Sequence, residues 1–400
     1  MKILYILNAT AVYGGATKSF MPLLEGLRDK GLEVCVLTPD KEGIYKVLNR
    51  KGIKVVAVNM RASVYPSKVG IKGHLLYIPR IICRLLVNRL AMRKLKKIFK
   101  NQGIDIIHSN VSVMKLGFKL AAYLKVPHIY HIREYVGKNQ YLQFFPSSRY
   151  FYRQLRQPDS YAVCITKGVM NYYGLANAEN VRMIYDPVLT SEAGMMHNVK
   201  EDYFLYAGRI ERPKGLLELI HAYAEYVRHS DCPAKLRIAG AVSDQAFYEE
   251  VKRTIEKNEI LDYVSFLGEL KDLTDTLRKA LAIIVPSWFE GFGRCMAEAM
   301  FNGCLVIGKD NTGTKEQFDN GLELCGEEIG FRYQTTEELT AAMMEVERMG
   351  KEERKKIESY ALKTVLHFYT NEASVNKVYD FYQFISQRHK QSILTESKKV

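Results

Sequence analysis

Residues 287–303 have the sequence SWFEGFGRCMAEAMFNG. The apolar run at 281–285 just before it is typical of a buried strand, and the proline at position 286 ends that strand. A glycine-rich turn follows, and the residues after the turn favour a helix that closes at Asn302 and Gly303. The sequence therefore predicts a strand, a glycine turn and a helix, in that order.

Two glutamates stand eight positions apart in this stretch, Glu290 in the predicted turn and Glu298 just over one turn into the predicted helix. Backbone N–H groups at a helix start carry partial positive charge and suit a phosphate, whereas carboxylates repel one. Two carboxylates are useful there if they bind hydroxyl groups, and a nucleotide sugar offers both phosphates and hydroxyls. The alternative is a turn shaped only by Gly291 and Gly293, with both glutamates solvated.

The string EGFGRCMAEA resembles the E-x7-E signature of the retaining GT-B glycosyltransferases of the family 4 type. This resemblance implies that Glu290 lies against the donor sugar and that Glu298 holds the ribose of the nucleotide. It also implies that the turn between them, Gly291, Phe292 and Gly293, contacts the donor.

A second string, GRIERPKG, joins a predicted strand at 203–208 to a predicted helix at 216–228. Two cations at a strand-to-helix turn suit phosphates, although charged surface residues are common everywhere. The string is similar to the Arg-x4-Lys diphosphate clamp of the same family. The resemblance implies that Arg209 and Lys214 bind the donor diphosphate.

Two predicted strands end in histidine, His108 and His131, and Arg133 and Glu134 follow the second. Polar groups at the ends of parallel strands lie at the edge where such sheets bind ligands. A lone histidine is more often structural, and His128 alternates to the opposite side of its strand, which favours a structural role for it. The resemblance implies that His131 approaches the donor sugar near the reacting centre, with His108 as a second candidate.

Further donor contacts are implied by the same resemblance. A first glycine loop resembles a P-loop only superficially, because Thr17 stands where that pattern needs glycine. The loop at 311–316 resembles one that often carries two glycines and a glutamate, but has a single glycine here. The implied contacts are Gly14 and Gly15 with the donor phosphates or the acceptor, Glu269 and Leu270 with the nucleotide base, and Gly313 and Thr314 with the donor, while Gly240 is a further candidate site residue.

Length and alternation of elements predict the fold class. Four hundred residues suggest two domains, and strands alternate with helices in two blocks, which predicts two doubly wound parallel α/β sheets. The resemblance implies, more specifically, the GT-B fold, in which two Rossmann-like domains face a central cleft. The expected domains are 1–187 for the acceptor, 188–370 for the nucleotide sugar, and 371–400, a helix crossing back to the first domain with a disordered tail after Lys390.

The net charge of +14 is unevenly distributed, since residues 43–104 hold fifteen Lys or Arg and no Asp or Glu. A helix is predicted from Pro79 to about Lys100. Its apolar side would ordinarily pack into the first domain, but that does not explain the missing acids. We therefore expect residues 61–100 to dock on the anionic cytoplasmic face of a membrane. The apolar side consists of Ile78, Ile81, Ile82, Leu85, Leu86 and Leu90.

Localisation and cofactors follow from weaker signals. The chain has no apolar run of membrane-spanning length, and its first apolar run is too short for a signal peptide. Seven cysteines without a C-x-x-C pair suit a reduced, cytoplasmic protein. No Asp-x-Asp occurs, which fits an enzyme that needs neither a metal nor another cofactor.

The implied function is a retaining glycosyltransferase of bacterial surface polysaccharide or glycolipid biosynthesis. The expected donor is a UDP-sugar, with GDP-mannose or another nucleotide sugar as alternatives, and the expected acceptor is lipid-linked or a saccharide. Two other functions stay open, a GT-B nucleotide-sugar epimerase and a non-enzymatic basic protein that binds membranes or nucleic acid. The basic block lacks a recognised nucleic-acid motif, so we expect no nucleic-acid partner.

Overall fold

The structure is a computed structural model that describes residues 1–12, 14–66, 74–138, 143–196 and 199–397. The chain forms two compact units. Unit 1 consists of Met1–Pro187 and Ser374–Val400, and unit 2 of Val188–Ala373. The predicted pair of doubly wound parallel α/β sheets is confirmed, one in each unit.

Unit 1 contains a seven-stranded sheet in the order β3-β2-β1-β4-β5-β6-β7, and all its pairings are parallel. The direction in which strands are added reverses between β1 and β4. In sheets of this kind, ligands bind outside the carboxyl ends of the strands at such a switch point. The strands are β1 (Lys2–Ile6), β2 (Glu33–Thr38), β3 (Lys54–Ala57), β4 (Ile106–Ser109), β5 (His128–Ile132), β6 (Ser160–Cys164) and β7 (Val181–Met183).

Helices connect these strands and cover the sheet. Apolar side chains from the strands and from the first helix, such as Phe20 and Leu24, form one buried core. Two of the helices begin at side-chain caps, where Ser147 and Thr166 accept hydrogen bonds from backbone N–H groups three residues on. The helices are α1 (Gly15–Asp29), α2 (Ile44–Arg50), α3 (Tyr77–Phe99), α4 (Lys115–Leu124), α5 (Ser148–Leu155) and α6 (Lys167–Tyr172).

Unit 2 contains a six-stranded parallel sheet in the order β10-β9-β8-β11-β12-β13, with its switch point between β8 and β11. The strands are β8 (Tyr203–Ala207), β9 (Lys235–Ala239), β10 (Val264–Gly268), β11 (Ala282–Val285), β12 (Leu305–Lys309) and β13 (Phe331–Tyr333). The helices are α7 (Leu216–His229), α8 (Gln245–Lys257), α9 (Thr274–Lys279), α10 (Arg294–Phe301), α11 (Thr312–Cys325), α12 (Thr336–Arg348) and α13 (Lys351–Phe368). Short 3-10 turns occur at Ser191–Ala193, Arg212–Lys214 and Leu261–Tyr263.

The last helix, α14 (Asn371–Ser397), packs Val378, Phe381 and Tyr382 into the core of unit 1. The expectation of a disordered tail after Lys390 is wrong for the described residues, because the helix continues to Ser397. No glycine or proline stands between Lys390 and Ser397 to end it.

One other expectation of secondary structure is wrong. The segment 311–316, expected as a loop, contains the start of α11, whose N-cap residue is Asn311.

Helix α3 is exposed where we expected an apolar side packed into the first domain. Its buried residues are Ala91, Leu95 and Phe99, all in its second half. The apolar row in the first half lies in solvent, because neither the sheet nor another described helix covers it. The exposed fractions are 60% for Ile78, 51% for Ile82, 50% for Leu85, 56% for Leu86 and 55% for Leu90, while Ile81 is half-buried.

Candidate active site

Both strings singled out in the sequence lie at the switch point of unit 2. The string GRIERPKG follows β8, and the glycine-rich turn follows β11. Strands β8 and β11 are hydrogen-bonded neighbours, with Phe204 opposite Ala282. Their carboxyl ends therefore bring two segments together that are more than seventy residues apart in the chain.

Lys214 and Glu290 meet at this point, with Nζ and Oε1 2.7 Å apart. Their side chains are 22% and 14% exposed, so the pair is partly open to solvent. The two loops are held together by their backbones, since the Trp288 N–H donates to the Pro213 carbonyl at 3.0 Å. Residue 215 must be glycine, because φ is +71° and a Cβ would lie 1.9 Å from the Pro286 carbonyl oxygen.

Electrostatics keep Lys214 charged. Burial acts to lower the pKa of Lys214, but the Glu290 carboxylate outweighs that effect and the pKa is raised. The neighbouring Cys295 is half-buried, and desolvation together with the Glu290 charge raises the pKa of its thiol to about 12. The thiol is therefore neutral at physiological pH and adds no charge to the site.

The turn that carries Glu290 rests on the start of α11. The Glu290 N–H donates to Thr312 Oγ1 at 3.0 Å, and the Gly313 N–H donates to the Glu290 carbonyl at 3.0 Å. Gln317 Nε2 donates to the Gly293 carbonyl at 3.1 Å. Gly293 itself has φ of +84° and is the N-cap residue of α10. These contacts fix the direction of the Glu290 side chain through its backbone.

Phe292, Gly313 and Thr314, which were predicted to contact the donor, are closely packed in this arrangement, and their contacts stay predictions. The Phe292 ring is 4% exposed and packs edge-on against Tyr369, with ring centroids 5.0 Å apart. Thr314 is fully buried, and a Cβ on Gly313 would lie 2.8 Å from the Phe292 backbone. These residues are enclosed because the turn packs closely against α11. Only their backbone groups remain available to a ligand.

The other two charged residues of the signature have neighbouring partners. Arg209 is 62% exposed on its side chain and pairs with Glu211 at 2.8 Å. Glu298 lies on the first turns of α10 and pairs with Arg294, four residues earlier, at 2.8 Å. Arg209 and Lys214 interact electrostatically across the same turn. The four signature residues thus surround one switch point, although their predicted roles stay predictions.

The remaining candidates of unit 2 follow strands β9 and β10. Gly240 packs on the β8 loop, where a Cβ would lie 1.8 Å from the Gly208 carbonyl oxygen. Glu269 is exposed and Leu270 half-buried just after β10, which is two strands away from β8. Their contact with a base stays a prediction.

In unit 1 the predicted histidines do meet. His108 Nε2 and His131 Nδ1 are 3.2 Å apart, and Tyr382 from α14 places its hydroxyl 2.6 Å from His108 Nδ1. Both imidazoles are at most 2% exposed, and burial holds the pKa of each well below its usual range. His131 is therefore neutral and enclosed, and its predicted contact with the donor sugar stays a prediction.

The register explains this arrangement. Tyr5 lies opposite His108, and His108 lies opposite Ile129, so His131, two residues further, faces the same side of the sheet. His128 faces the other side, where its Nε2 lies 2.8 Å from Ser109 Oγ. Burial lowers the pKa of His128 to about 3, as suits the structural role expected for it.

Arg133 forms a buried ion pair that the sequence did not indicate. Its guanidinium donates to both carboxylate oxygens of Asp186, at 2.9–3.2 Å, and to the side-chain oxygen of Asn110 at 2.9 Å. Arg133 is 7% exposed and Asp186 5% exposed. Asp186 Oδ1 also lies 3.5 Å from His131 Nε2. The Arg133 guanidinium is thus occupied by protein partners, and the structure gives no support for a contact between this side chain and the nucleotide sugar.

The remaining candidates of unit 1 lie at the carboxyl edge of its sheet. Gly14 and Gly15 are exposed at the start of α1, and a Cβ on either would contact nothing within 4 Å. Glu134 accepts a hydrogen bond from Ser112 Oγ at 3.2 Å, and burial raises its pKa. Ligand contacts of these three residues stay predictions.

Several residues of these clusters escaped sequence reasoning. Arg294 was detectable, because it stands four residues before Glu298 on a predicted helix. Asp186, Tyr382 and Thr312 carried no local signal, since each partner lies far away in the chain. Among the described residues, no group of three or more His, Cys, Asp or Glu side chains is placed to hold a metal ion.

The two parallel sheets, each with a reversed strand order, are those of the GT-B fold. The structure superposes on HepE of Anabaena, solved in complex with UDP and glucose, with a TM-score of 0.75 at 17% sequence identity, covering 96% of this chain and 99% of that one. Two family models match the sequence, a glycosyl transferase 4-like domain over residues 14–184 and glycosyl transferases group 1 over residues 192–364. The chain belongs to the GT-B glycosyltransferases of the family 4-like type.

Two curated relatives match parts of the sequence. An uncharacterised glycosyltransferase of Methanocaldococcus jannaschii is 26% identical over 213 residues, which are 51% of this chain and 56% of the relative. The poly(glycerol-phosphate) alpha-glucosyltransferase of Bacillus subtilis is 32% identical over 102 residues, 26% of this chain and 15% of the relative. The chain thus spans about half or less of the length of these relatives.

Proposed function

We propose that the protein transfers a sugar, with retention at the anomeric carbon, from a nucleotide-sugar donor to a lipid-linked or saccharide acceptor. The observation that carries this proposal is the convergence of Arg209, Lys214 and Glu290 at the switch point of unit 2. Opposite charges at a solvent-accessible sheet edge suit a ligand that carries both phosphates and hydroxyls.

The chemistry requires stabilisation of the departing nucleoside diphosphate. Lys214 is available for its phosphates once a donor competes with the Glu290 carboxylate, and Arg209 lies beside it on the same loop. Preorganised cations at the leaving group lower the barrier because they act where negative charge develops. Glu290, released from Lys214, would then bind sugar hydroxyls and orient the anomeric carbon.

Arg209 and Lys214 are also relevant to whether the reaction requires a metal ion or another cofactor. We propose that the reaction needs no resident metal or other cofactor, since Arg209 and Lys214 supply the charge compensation that a metal ion would otherwise provide. A chelator should then leave the rate unchanged. A rate that falls with chelator and recovers with added Mg²⁺ or Mn²⁺ would contradict this part of the proposal.

A UDP-sugar is the proposed donor, and surface polysaccharide or glycolipid assembly is the proposed setting. HepE, with the same fold, was solved with UDP and glucose, and the Bacillus subtilis relative is a poly(glycerol-phosphate) alpha-glucosyltransferase. Both support the proposal at the level of chemistry, a nucleotide-sugar donor and an anionic, polymer-bound acceptor. GDP-mannose stays the alternative donor.

We place the protein at the cytoplasmic face of a membrane as a peripheral protein. The exposed apolar row of α3 and the basic residues between positions 61 and 100 support this placement. Among the described helices none has the length and apolarity to cross a membrane.

Membrane docking is tested by flotation with phosphatidylcholine vesicles that contain or lack phosphatidylglycerol. We expect the protein to float only with the anionic vesicles, and the double variant Ile82→Ser/Leu86→Ser to lose this binding. The control is Leu261→Ser, which removes a side chain 63% exposed in unit 2. Equal recovery with both vesicle types would end the membrane placement.

Transfer is tested by nucleotide release from a panel of UDP- and GDP-sugars, with and without a glycolipid or saccharide acceptor. We expect Glu290→Gln and Lys214→Met each to slow acceptor-dependent release by about 10²–10³-fold, because each removes a group aimed at the transition state. The control is Lys279→Met, which loses the same charge just before β11, at the opposite edge of the sheet.

Three outcomes separate the functions. Full activity of Glu290→Gln or Lys214→Met would show that the substituted residue is not part of the active site. Release that is independent of any acceptor, with a free epimerised sugar as product, would indicate an epimerase instead. An anomeric configuration opposite to that of the donor in the product would contradict retention.

A further inference from the structure

A cavity of about 650 Å³ lies within unit 1 between α3, α4 and the segment that leads into α5. Its walls come from residues after β3 (62–64), after β4 (the start of α4) and after β5 (145–150). All three segments leave the sheet at its carboxyl edge, where doubly wound sheets bind ligands. The cavity therefore lies where this fold places a binding site, apart from the histidine cluster.

The charge of this cavity has one sign only. Six cationic side chains contribute to its lining, and no Asp or Glu does. The fixed positive field would be repulsive without a counter-charge, and a bound anion would relieve it. The six are Arg84, Arg89, Arg93, Lys96, Lys115 and Lys119.

Lys115 is the innermost of these cations. It is 8% exposed, and its Nζ lies over two aromatic rings, 4.3 Å from the centroid of Tyr150 and 5.7 Å from that of Phe145. Among the described residues, no carboxylate or other hydrogen-bond acceptor pairs with it. Burial, with the Lys119 charge, lowers its pKa to about 8. An ammonium group buried without a counter-ion is costly, so its partner is expected to come from outside the protein.

The rest of the wall is apolar, and it continues onto the surface. Ile81, Leu116 and Phe145 line the cavity beside the cations. Leu85 both lines it and is 50% exposed, next to Leu86 in the apolar row of α3. A ligand with an anionic head in the cavity would therefore find an apolar path for a hydrocarbon chain along α3. A soluble anion such as inorganic phosphate would leave this path unused.

We propose that the cavity binds the phosphate head of a lipid, with Lys115 and Arg89 on the phosphate and the hydrocarbon chain along α3. Several converging cations match a phosphate better than a single carboxylate, since a phosphate offers more acceptor oxygens and charge. The assignment deepens the proposed function, on which it rests for the role of this lipid as the acceptor. The binding itself is independent of that function.

The test uses the full chain and dihexanoyl phosphatidic acid below its micelle concentration, with binding measured by calorimetry and by the rise in melting temperature. We expect Lys115→Met to weaken binding about 10- to 100-fold, the range for losing a charged hydrogen-bond partner. The matched control is Lys41→Met, an exposed lysine after β2 at the same sheet edge but outside the cavity lining. This control should bind like the wild type.

Two further ligands identify what is bound. Dihexanoyl phosphatidylcholine has the same chains with a zwitterionic head, and inorganic phosphate has no chains. The proposal is overturned if either binds as tightly as phosphatidic acid, or if Lys115→Met retains the wild-type affinity. Should Lys115→Met lose its cooperative unfolding transition, Arg89→Gln, which changes an exposed lining residue, replaces it with the same expected direction.

A separate measurement distinguishes this inference from the proposed function. Lys115→Met should retain the melting-temperature rise that a UDP-sugar produces, because the donor residues lie in unit 2. Loss of the lipid response with an intact donor response supports the cavity assignment. An intact lipid response in a protein that responds to no nucleotide sugar would overturn the proposed function and leave lipid binding standing.

Discussion

Charged residues at the carboxyl edges of the two sheets differ in how far they are enclosed. In unit 1, Arg133 follows β5 and Asp186 lies beyond β7, and this ion pair is buried, with both residues at most 7% exposed. In unit 2, Lys214 and Glu290 are 22% and 14% exposed on their side chains, and Arg209 is 62% exposed. The first pair is enclosed by the protein, whereas the second group is accessible to solvent.

This difference teaches that position in the fold does not by itself make a charged residue functional. A buried ion pair is fully used by the protein, and losing either partner leaves an uncompensated charge. A partly solvated pair contributes little to stability and can exchange its partner for a ligand. We therefore assign a folding role to the Arg133–Asp186 pair of unit 1, and we propose ligand roles for Lys214, Glu290 and Arg209 of unit 2.

The largest expected effect on stability is that of Asp186→Ala. It leaves the Arg133 guanidinium buried without a counter-ion, which should lower the free energy of unfolding by about 3–5 kcal/mol. Urea unfolding measures this, with Glu290→Ala as the matched change in unit 2, where we expect a loss of at most about 1 kcal/mol. Similar losses for the two variants would break the comparison.

The next largest effect concerns the backbone on which the unit 2 site is built. Gly215→Ala places a side chain on a residue with φ of +71° and drives its Cβ against the Pro286 carbonyl. We expect a loss of about 2–3 kcal/mol in unfolding free energy, with donor binding impaired because Lys214 and Glu290 shift apart.

Gly326→Ala is the control for Gly215→Ala, since its φ is +72° and nothing lies within 4 Å of its Cβ. It should show the cost of the left-handed conformation alone, about 1 kcal/mol. If Gly326→Ala proved as destabilising as Gly215→Ala, close backbone packing would not be what shapes the site.

A smaller effect appears as a pH dependence of unit 1. Burial lowers the pKa of His128 to about 3 from the ordinary value of 6.5. Between these two values His128 binds a proton in the unfolded chain but not in the folded chain. Stability is therefore fully present above pH 6.5 and falls with decreasing pH, by about 1.4 kcal/mol per pH unit for this proton. His108 and His131 act in the same direction.

Urea unfolding at a series of pH values from about 7 to about 5 measures this dependence. His128→Gln should reduce the slope of the unfolding free energy against pH by the contribution of about one proton, because glutamine does not titrate in this range. An unchanged slope would mean that His128 is already protonated in the folded protein, and its assignment as a neutral, enclosed side chain would be wrong.

The smallest effect on stability is expected for Arg209→Ala. Its side chain is 62% exposed and paired only on the surface with Glu211, so the free energy of unfolding should change by less than about 0.5 kcal/mol. Donor affinity should nevertheless fall about tenfold, because a cation next to the diphosphate is lost. A stability loss without a change in donor affinity would reverse the role assigned to this residue.

Much of the fold was predictable because its signals are local. The strand, turn and helix around Gly293 were expected within one or two residues of their observed bounds. The histidines on β4 and β5 were expected at one sheet edge, and they lie 3.2 Å apart. Strand periodicity and helix capping depend on neighbours in the chain, which a sequence displays directly.

Packing was the harder part to predict. The periodicity of α3 correctly indicated a helix with an apolar side, but periodicity carries no information about what covers that side. The Phe292 ring packs against Tyr369, which no local pattern indicates, and its contact with a donor stays a prediction. In both cases the surroundings of the residue are supplied by distant segments.

By itself, the sequence determined the doubly wound α/β class of both units, the family and the two charged strings of unit 2, because each depends on the order of residues along short stretches. Only the tertiary structure decided which charges are enclosed. Arg133 meets Asp186 across 53 positions, and Tyr5 meets Tyr382 across 377. Such pairs are set by strand order and by the return of the last helix, and exposure follows from them because it depends on how the whole chain packs.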